Sequence, residues 1–401
     1  MPQLRHTVAQ PTVALPTIGG VTPAVVDLLL RPAARRAVAA RRLASLGIAP
    51  RVGGGAGSVA ESVAETVGRQ LALQAQDLAS GVWSIGVRTG ASLRDVESAI
   101  EARLITRSWP MRGTLHFMAT KDVKWMCQLL NGAAAAATRA RFAQLEITDA
   151  VLDQGRALVT SALVGGRALS RPAAFELFRR NGIHPEGQRG LHLLGRYCQE
   201  GLLCQGPAAG RQPTFVLLDE WVPTSWEPEP EQAMAALAER YVLSHGPVTI
   251  RDFAGWTGQS LTFARAAVAL AGDCVVTEEI GGASHLVHPD APAPPSRSRL
   301  HLLPGFDEFL LGYKDRTAML TAAQEARVVP GRNGVFLPTI VAGGQVVGTW
   351  GRRVGARRVE ITVTPFGQLS ASRRRGVDRA ATAYGAFLGM PAQVRFAGPH
   401  R

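Results

Sequence analysis

Apolar residues recur at helical spacing from Val63 through Val67 to Ala72, and the run ends in Leu73-Gln74-Ala75-Gln76-Asp77. Two amides separated by one small apolar residue do not share the apolar face of a helix, where they would stand about 200° apart. At a frayed end or in an extended turn, Gln74 and Gln76 converge on one cleft. Buried amides are costly without partners, so the pair needs solvent, backbone groups or a bound ligand. Capping or solvating the helix end is the plain alternative, and Asp77 reads as a helix cap.

Three stretches share one plan, helices followed by a strand pair around a glycine or proline turn. The first covers about 58–119. Its last helix starts at Ser92-Leu93-Arg94-Asp95, a variant capping box, and ends near Leu104. Strands over 105–109 and 113–118 follow, joined through Pro110-Met111-Arg112. The second stretch, about 148–218, predicts helices over 153–164, 170–180 (Ser170 as N-cap, Pro172 in the first turn) and 188–200, then strands over 202–205 and 214–218. The third, about 231–288, predicts helices over 232–244, 249–257 and 260–271, then strands over 274–278 and 284–287. Helix, helix, helix, hairpin is the order of a winged helix, a helix-turn-helix with a β-ribbon wing.

A helix over 121–143 separates the first two stretches. The last part is β-rich, with strands over 300–303, 334–341, 345–350 and 358–364 and a closing helix over 377–388. Ala342-Gly343-Gly344 joins two of these strands with a hairpin signature. Trp226-Glu227-Pro228-Glu229-Pro230 and the proline-rich 291–296 read as linkers, and Gly53-Gly54-Gly55-Ala56-Gly57-Ser58 as a joint. No Gly-Lys-Ser/Thr follows those glycines, so they do not form a phosphate-binding P-loop. The expected class is α+β: a basic N-terminal arm (1–50, with a helix over 32–46), three tandem winged-helix domains (51–147, 148–230, 231–295) and a β-rich C-terminal domain (296–401).

Charge sharpens this picture. The 401 residues carry a formal charge of +13, and only Lys121, Lys124 and Lys314 among the basic residues are lysines. Arginine offers a planar fork to phosphates and base edges, so a polyanion such as nucleic acid is the expected partner, although a GC-rich genome also favours arginine. Cys127, Cys198, Cys204 and Cys274 form no C-x-x-C pair and read as reduced thiols of a cytoplasmic protein. No apolar run reaches membrane-spanning length, and the start shows no signal peptide.

Few constellations suggest chemistry. Arg352, Arg353, Arg357 and Arg358 follow a hairpin strand and read equally as a solvated edge or as phosphate and minor-groove contacts. Arg373-Arg374-Arg375 reads as a solvated loop, with DNA contact the lesser alternative. His116 follows Arg112-Gly113-Thr114 on the first wing, where a histidine is usually a hydrogen-bonded structural residue. His285 and His288 have no acidic or cysteine companion at ligand spacing, so no metal site is expected. Asp307 and Glu308 are adjacent, and on a strand they would face opposite sides. There is no Gly-x-Ser-x-Gly.

Taken together, Gln74-Ala75-Gln76-Asp77, the block Arg107-Ser108-Trp109-Pro110-Met111-Arg112-Gly113-Thr114-Leu115-His116, the block running from Leu303-Pro304-Gly305-Phe306-Asp307-Glu308 to Arg316, and Val347-Gly348-Thr349-Trp350 resemble the AlkZ-like DNA glycosylases. The resemblance covers roughly 38–395. It implies tandem winged helices and a β-rich part curved around duplex DNA, and excision of N7-alkylated guanine, including interstrand crosslinks and bulky natural-product adducts. Gln74 and Gln76 match the glutamine form of the family's catalytic motif. That branch resembles enzymes protecting a producer from its own DNA-alkylating antibiotic. The DNA contacts expected from this resemblance and from the charge are Arg112, Thr114, His116, Arg352 and Arg353. A monomer acting on double-stranded DNA carrying alkylated guanine, at the nucleoid and without cofactor, is implied. A non-catalytic winged-helix regulator is the competing reading, and the paired glutamines discriminate against it.

Overall fold

The helix expected over 32–46 in the basic arm is present, longer at its start, and it packs into the core. The computed structural model describes residues 23–48, 58–210, 212–222, 224–296, 299–332 and 334–397; residues 1–22 of the arm and the glycine joint at 53–57 lie outside them. Helix α1 (Pro23–Ser45) buries Val38, Ala39 and Leu43. Arg42 is buried with them: its guanidinium donates to the carbonyls of Pro247 (2.9 Å) and Asp315 (3.0 Å), and it lies 3.9 Å from the Tyr313 ring centroid and 3.6 Å from Asp252. A buried guanidinium tolerates this only because its donors are matched. Helical charge spacing in the sequence does not distinguish such a residue from a solvated one.

Helix α2 (Val59–Gln70) starts in a reciprocal capping box between Ser58 and Glu61 and buries Val63 and Val67. Leu71 stops it with φ 63° and ψ −58°. Such a backbone costs a leucine on the order of 1–3 kcal/mol, and complete burial of its side chain contributes about 2 kcal/mol to offset that. The chain therefore leaves the helix extended, as β1 (Leu73–Gln74), before α3 (Leu78–Thr89) and α4 (Leu93–Glu101). The capping box at Ser92 and Asp95 is present. Strands β2 (Ile105–Met111) and β3 (Thr114–Ala119) form a hairpin whose turn is Arg112-Gly113, with φ 55° and 68°. Pro110 belongs to β2, in a stretch where the ladder shifts register between Ser108 and Met111 and a missing N–H is tolerated. Helix α5 (Thr120–Gln144) follows.

The next segment is α6 (Asp149–Leu163), β4 (Leu169–Ser170), α7 (Arg171–Arg180), α8 (Arg189–Gln199), β5 (Leu203–Ala209), β6 (Gln212–Leu217) and α9 (Leu218–Trp221). Its hairpin is not separate from the first. The pair Arg107↔Gln205 joins β2 to β5, giving one six-stranded sheet in the order β1-β3-β2-β5-β6-β4. Helices α10 (Pro230–His245), α11 (Ile250–Thr257) and α12 (Leu261–Leu270) precede a two-stranded sheet of β7 (Val276–Ile280) and β8 (Ala283–Val287). Glu278 on β7 pairs with Arg41 of α1 at 2.8 Å.

The C-terminal part contains β9 (Leu300–Leu303), α13 (Glu308–Leu311), α14 (Ala322–Val328), β10 (Thr339–Ala342), β11 (Gln345–Val354), β12 (Val359–Pro365), α15 (Ala371–Leu388) and β13 (Ala392–Phe396). Its sheet runs β13-β12-β11-β10-β9, antiparallel except for β12 with β13. The strand expected over 334–341 is shorter, and Arg373-Arg374-Arg375 lie in the first turns of α15 rather than in a loop. The mixture of helix and sheet is α+β. Among the described residues no helix is long and apolar enough to cross a membrane.

The cores ignore the expected boundaries. One unites Val63, Val67 and Trp83 of the first segment with Trp350, Tyr384 and Phe387 of the last. Another joins α1, Met118, Trp125, Tyr241, Trp256 and Phe309. Only the second segment keeps a core largely its own, around Phe178, Leu193 and Tyr197.

Candidate functional site

Gln74 and Gln76 lie on the edge of the six-stranded sheet. Because the backbone is extended, Leu73 and Ala75 are completely buried, while Gln74 is half-buried and Gln76 exposed. Alternation has sorted the motif into an apolar side and an amide side. Gln76 Oε1 accepts the N–H of Leu115 at 3.1 Å. Only an amide oxygen can do so, which fixes the orientation of this amide and leaves its NH₂ turned away. Ala75, between the glutamines, donates its N–H to the Leu115 carbonyl (2.8 Å), and its own carbonyl receives Arg107 Nη1 (3.1 Å).

Asp77 is occupied as a cap. Its Oδ1 accepts Ala79 N–H at 3.2 Å and its Oδ2 accepts the Ser80 hydroxyl at 2.6 Å. Arg352, brought in by β11, stands 3.7 Å from Oδ2. The carboxylate is thus spoken for by the start of α3, in agreement with its reading as a cap.

His116 stands directly opposite Gln74 across the β1–β3 ladder, so both side chains share one face. It is wholly buried. Burial, helped by the charge of Arg112 and opposed by Glu308, pulls its pKa down to about 3, so the ring is neutral. Arg112 Nη2 lies 3.2 Å from Nε2, and the Thr114 carbonyl 2.9 Å from Nδ1. Since guanidinium only donates, Nε2 is the acceptor and Nδ1 carries the proton. Of the expected DNA contacts, His116 is therefore closed off from a duplex, whereas Arg112 and Thr114 are half-buried. The turn arginine folds back over its own hairpin, against Gly258, and the histidine faces the interior.

Beneath this face lies Glu308, also wholly buried. It accepts Trp256 Nε1 at 2.9 Å and stands 3.5 Å from His245. Burial raises its pKa, but the contact with His245 and the charge of Arg112 outweigh this and hold it well below the usual carboxylate range. Asp307 turns the other way. It takes Arg88 through two bonds (2.8 and 3.0 Å), accepts the Ser84 hydroxyl at 2.9 Å and caps α13. The two acids part as expected, although they do so at a helix start, with Asp307 as the extended N-cap and Glu308 as the first residue of α13, rather than on a strand.

The hairpin of β11 and β12 projects its tip to solvent. Arg353 is 82% exposed and paired with Glu360 at 2.9 Å; Val354, Arg357 and Arg358 are exposed beside it. Arg352 is only 16% exposed and sits 6.0 Å from the Trp350 ring centroid. The two neighbours thus part: Arg352 points to the motif, Arg353 to the outside.

His288 has companions that sequence spacing hid. Ligand atoms of Glu239, Cys274 and His288 lie within 4.8 Å of one another. However, His288 Nδ1 accepts the N–H of Asp290 at 3.0 Å, so Nε2, which stands 3.9 Å from Glu239, carries the ring proton and offers no lone pair.

Arg107 and Gln205 escaped the sequence reading as site residues. Arg107 lay inside a recognisable block, but no spacing announces that its guanidinium reaches back 32 residues to Ala75.

Comparison with known proteins places this geometry. The family described as DNA glycosylase AlkZ-like matches residues 67–387. An interstrand DNA cross-link repair glycosylase of Streptomyces sahachiroi is 25% identical over 347 residues, covering 80% of this chain and 89% of that protein. The solved structure of Streptomyces sahachiroi DNA glycosylase AlkZ superposes with a TM-score of 0.76 at 23% identity, over 90% of this chain and 99% of that one, a likeness of fold. The edge-strand glutamines thus sit in a mixed α+β fold shared with a DNA-repair enzyme. The chain belongs to the AlkZ-like DNA glycosylase family.

Proposed function

We propose that this protein hydrolyses the N-glycosidic bond of N7-alkylated guanine in duplex DNA, with Gln74 and Gln76 as the catalytic pair. The observation that carries the reading is the extended edge strand, which puts both amides on one side, with the Gln76 amide already oriented by Leu115. N7-alkylguanine is cationic and leaves without being protonated. The reaction then needs a placed water and stabilisation of an oxocarbenium-like sugar, which the amide oxygens supply, Gln76 Oε1 through the lone pair that Leu115 leaves free. A neutral His116 opposite Gln74 adds no positive charge to that face. The enzyme acts as a monofunctional glycosylase and leaves an abasic site. Lys124 is bound by Glu227 and Asp219, whose hydrogen bonds raise its pKa, so it is not a ready amine nucleophile.

The helix-helix-hairpin segments act as winged helices on one curved scaffold. DNA is held by the exposed hairpin arginines, led by Arg353, and by Arg373-Arg374-Arg375. The latter three stand at a helix N-terminus, where cations are unfavourable without an anionic partner. Bulky natural-product adducts and interstrand crosslinks are the proposed lesions, in line with the activity named for the Streptomyces relative, and self-resistance to a DNA-alkylating antibiotic is the proposed biological role. The protein works as a monomer on double-stranded DNA.

The test is single-turnover release of N7-methylguanine, and of a bulky adduct, from a labelled duplex. Gln74→Ala and Gln76→Ala should each slow release by roughly one to three decades with binding largely kept. Log affinity should fall steeply with log salt. If the wild type releases neither base, or both variants match it, the catalytic assignment fails and a non-catalytic DNA-binding role replaces it.

A further inference from the structure

One hydrogen-bond choice decides where the Gln76 amide points. Ala75 N–H donates to the Leu115 carbonyl, and an ordinary antiparallel pair would return the bond from Leu115 N–H to the Ala75 carbonyl. Leu115 N–H has one hydrogen to give, and it goes to Gln76 Oε1. The Ala75 carbonyl is instead claimed by Arg107 Nη1 at 3.1 Å, while Arg107 Nε donates to Gln205 Oε1 at 2.8 Å. A charge-assisted bond of this kind is roughly twice as strong as a neutral one and draws the peptide plane toward the guanidinium. Burial lowers the Arg107 pKa only to about 10, so the side chain stays cationic at neutral pH.

We propose that Arg107 is a positioning residue for the glutamine motif. By holding the Ala75 carbonyl it leaves Leu115 N–H to Gln76 and so sets the direction of that amide. Gln205 extends the arrangement to the second segment. Its side chain holds Arg107, its backbone carbonyl accepts the Thr106 hydroxyl, and it forms the registered pair joining the two hairpins. Seating of the second segment is thereby coupled to the orientation of Gln76. The inference rests on the glycosylase reading for its effect on rate, but not for its effect on the amide.

Arg107→Met keeps much of the volume and removes the donors. It should lower single-turnover excision of N7-methylguanine about ten- to a hundred-fold, the scale of a small misplacement, with duplex affinity little changed. In a Gln76→Ala background the same substitution should cost almost nothing further, because both act through one amide. Gln205→Leu, which keeps Arg107 but frees it, should give a smaller loss and serves if Arg107→Met does not fold. The second readout is the ¹⁵N side-chain amide resonance of Gln76, which should shift and broaden in both variants without any substrate. Wild-type excision rates in Arg107→Met and Gln205→Leu, or fully multiplicative losses with Gln76→Ala, would overturn the proposal. If the wild type excises nothing, the glycosylase reading falls by itself. The amide resonance then decides, and an unchanged signal sinks the positioning role.

Discussion

Replacing Asp307 by alanine should strip the carboxylate from a buried guanidinium that clamps the first segment to the last. Arg88 and Asp307 have side chains 0% and 3% exposed, so neither partner can turn to water. The substitution removes two charge-assisted bonds to Arg88, one acceptor for Ser84 and the cap of α13 at Phe309. Breaking a buried pair from one side costs about 3–5 kcal/mol, and losing a cap about 1 kcal/mol. Arg88 keeps the Ser84 carbonyl and hydroxyl, at 2.9 and 2.8 Å, which moderates the loss. The expected destabilisation is about 4 kcal/mol, with Asp307→Asn milder because it retains a cap oxygen. Urea unfolding followed in parallel by circular dichroism and tryptophan fluorescence is the assay. Trp83 and Trp350 bond the adjacent carbonyls of Leu302 and Leu303 and report directly on the clamp. Adding Arg88→Met to Asp307→Ala should recover part of the loss, since no unpaired charge remains. A single-variant loss below about 1 kcal/mol, or no recovery in the double variant, would show that the guanidinium finds water and that the clamp reasoning is wrong.

Two further outcomes follow from the same geometry. Burial holds His116 at about 3 and His301 at about 4, against 6.5 for a free imidazole. The unfolded chain therefore binds protons that the folded one refuses, so stability present above pH 6.5 is lost as pH falls toward those values, by about 2 kcal/mol per histidine at pH 5; a melting temperature flat from pH 7.5 to 5 would contradict this. Gly81→Ala adds a Cβ that would lie 2.8 Å from the Ala75 Cβ and 3.2 Å from the Phe117 ring. Although such a change usually favours a helix by about 1 kcal/mol, here it should push the motif strand and slow excision about tenfold or more, and an unimpaired rate in a well-folded variant would count against strict positioning of the glutamines.

What the sequence disclosed was what lies within a few residues. Ser92 with Asp95 and Ser170 with its following proline mark helix starts because a cap spans only three or four positions. Gly343 and Gly344 mark the turn between β10 and β11 because positive φ favours glycine. The edge glutamines were visible as a conflict between amide and apolar periodicity. Whether they lay on a helix end or on an extended segment was left open, because that depends on Leu71, a buried leucine in a conformation that local preference argues against. The fusion of the two hairpins depends on one pair, Arg107 with Gln205, which leaves no periodic trace. Arg42 and Arg112 look like surface residues in sequence, yet Arg42 is turned inward by partners far along the chain and Arg112 by a turn that folds it back, while His116 is the hydrogen-bonded buried histidine that its position on the wing suggested.

The core around Trp83 has a consequence for synthesis. Its indole meets Tyr384 and Phe387 at centroid distances of 4.9 and 5.0 Å, and its N–H needs the carbonyl of Leu302. A ribosome releasing residues in order makes Trp83 roughly three hundred positions before those two rings. Until then the helix after the glutamine motif has no lid, and loop closure over that distance is slow. Until the last segment is made, this apolar face stays uncovered and prone to aggregation. For the same reason, cutting the chain near 295 would leave the second segment its own core but strip the first of the partners Trp350, Tyr384 and Phe387 that close its interior.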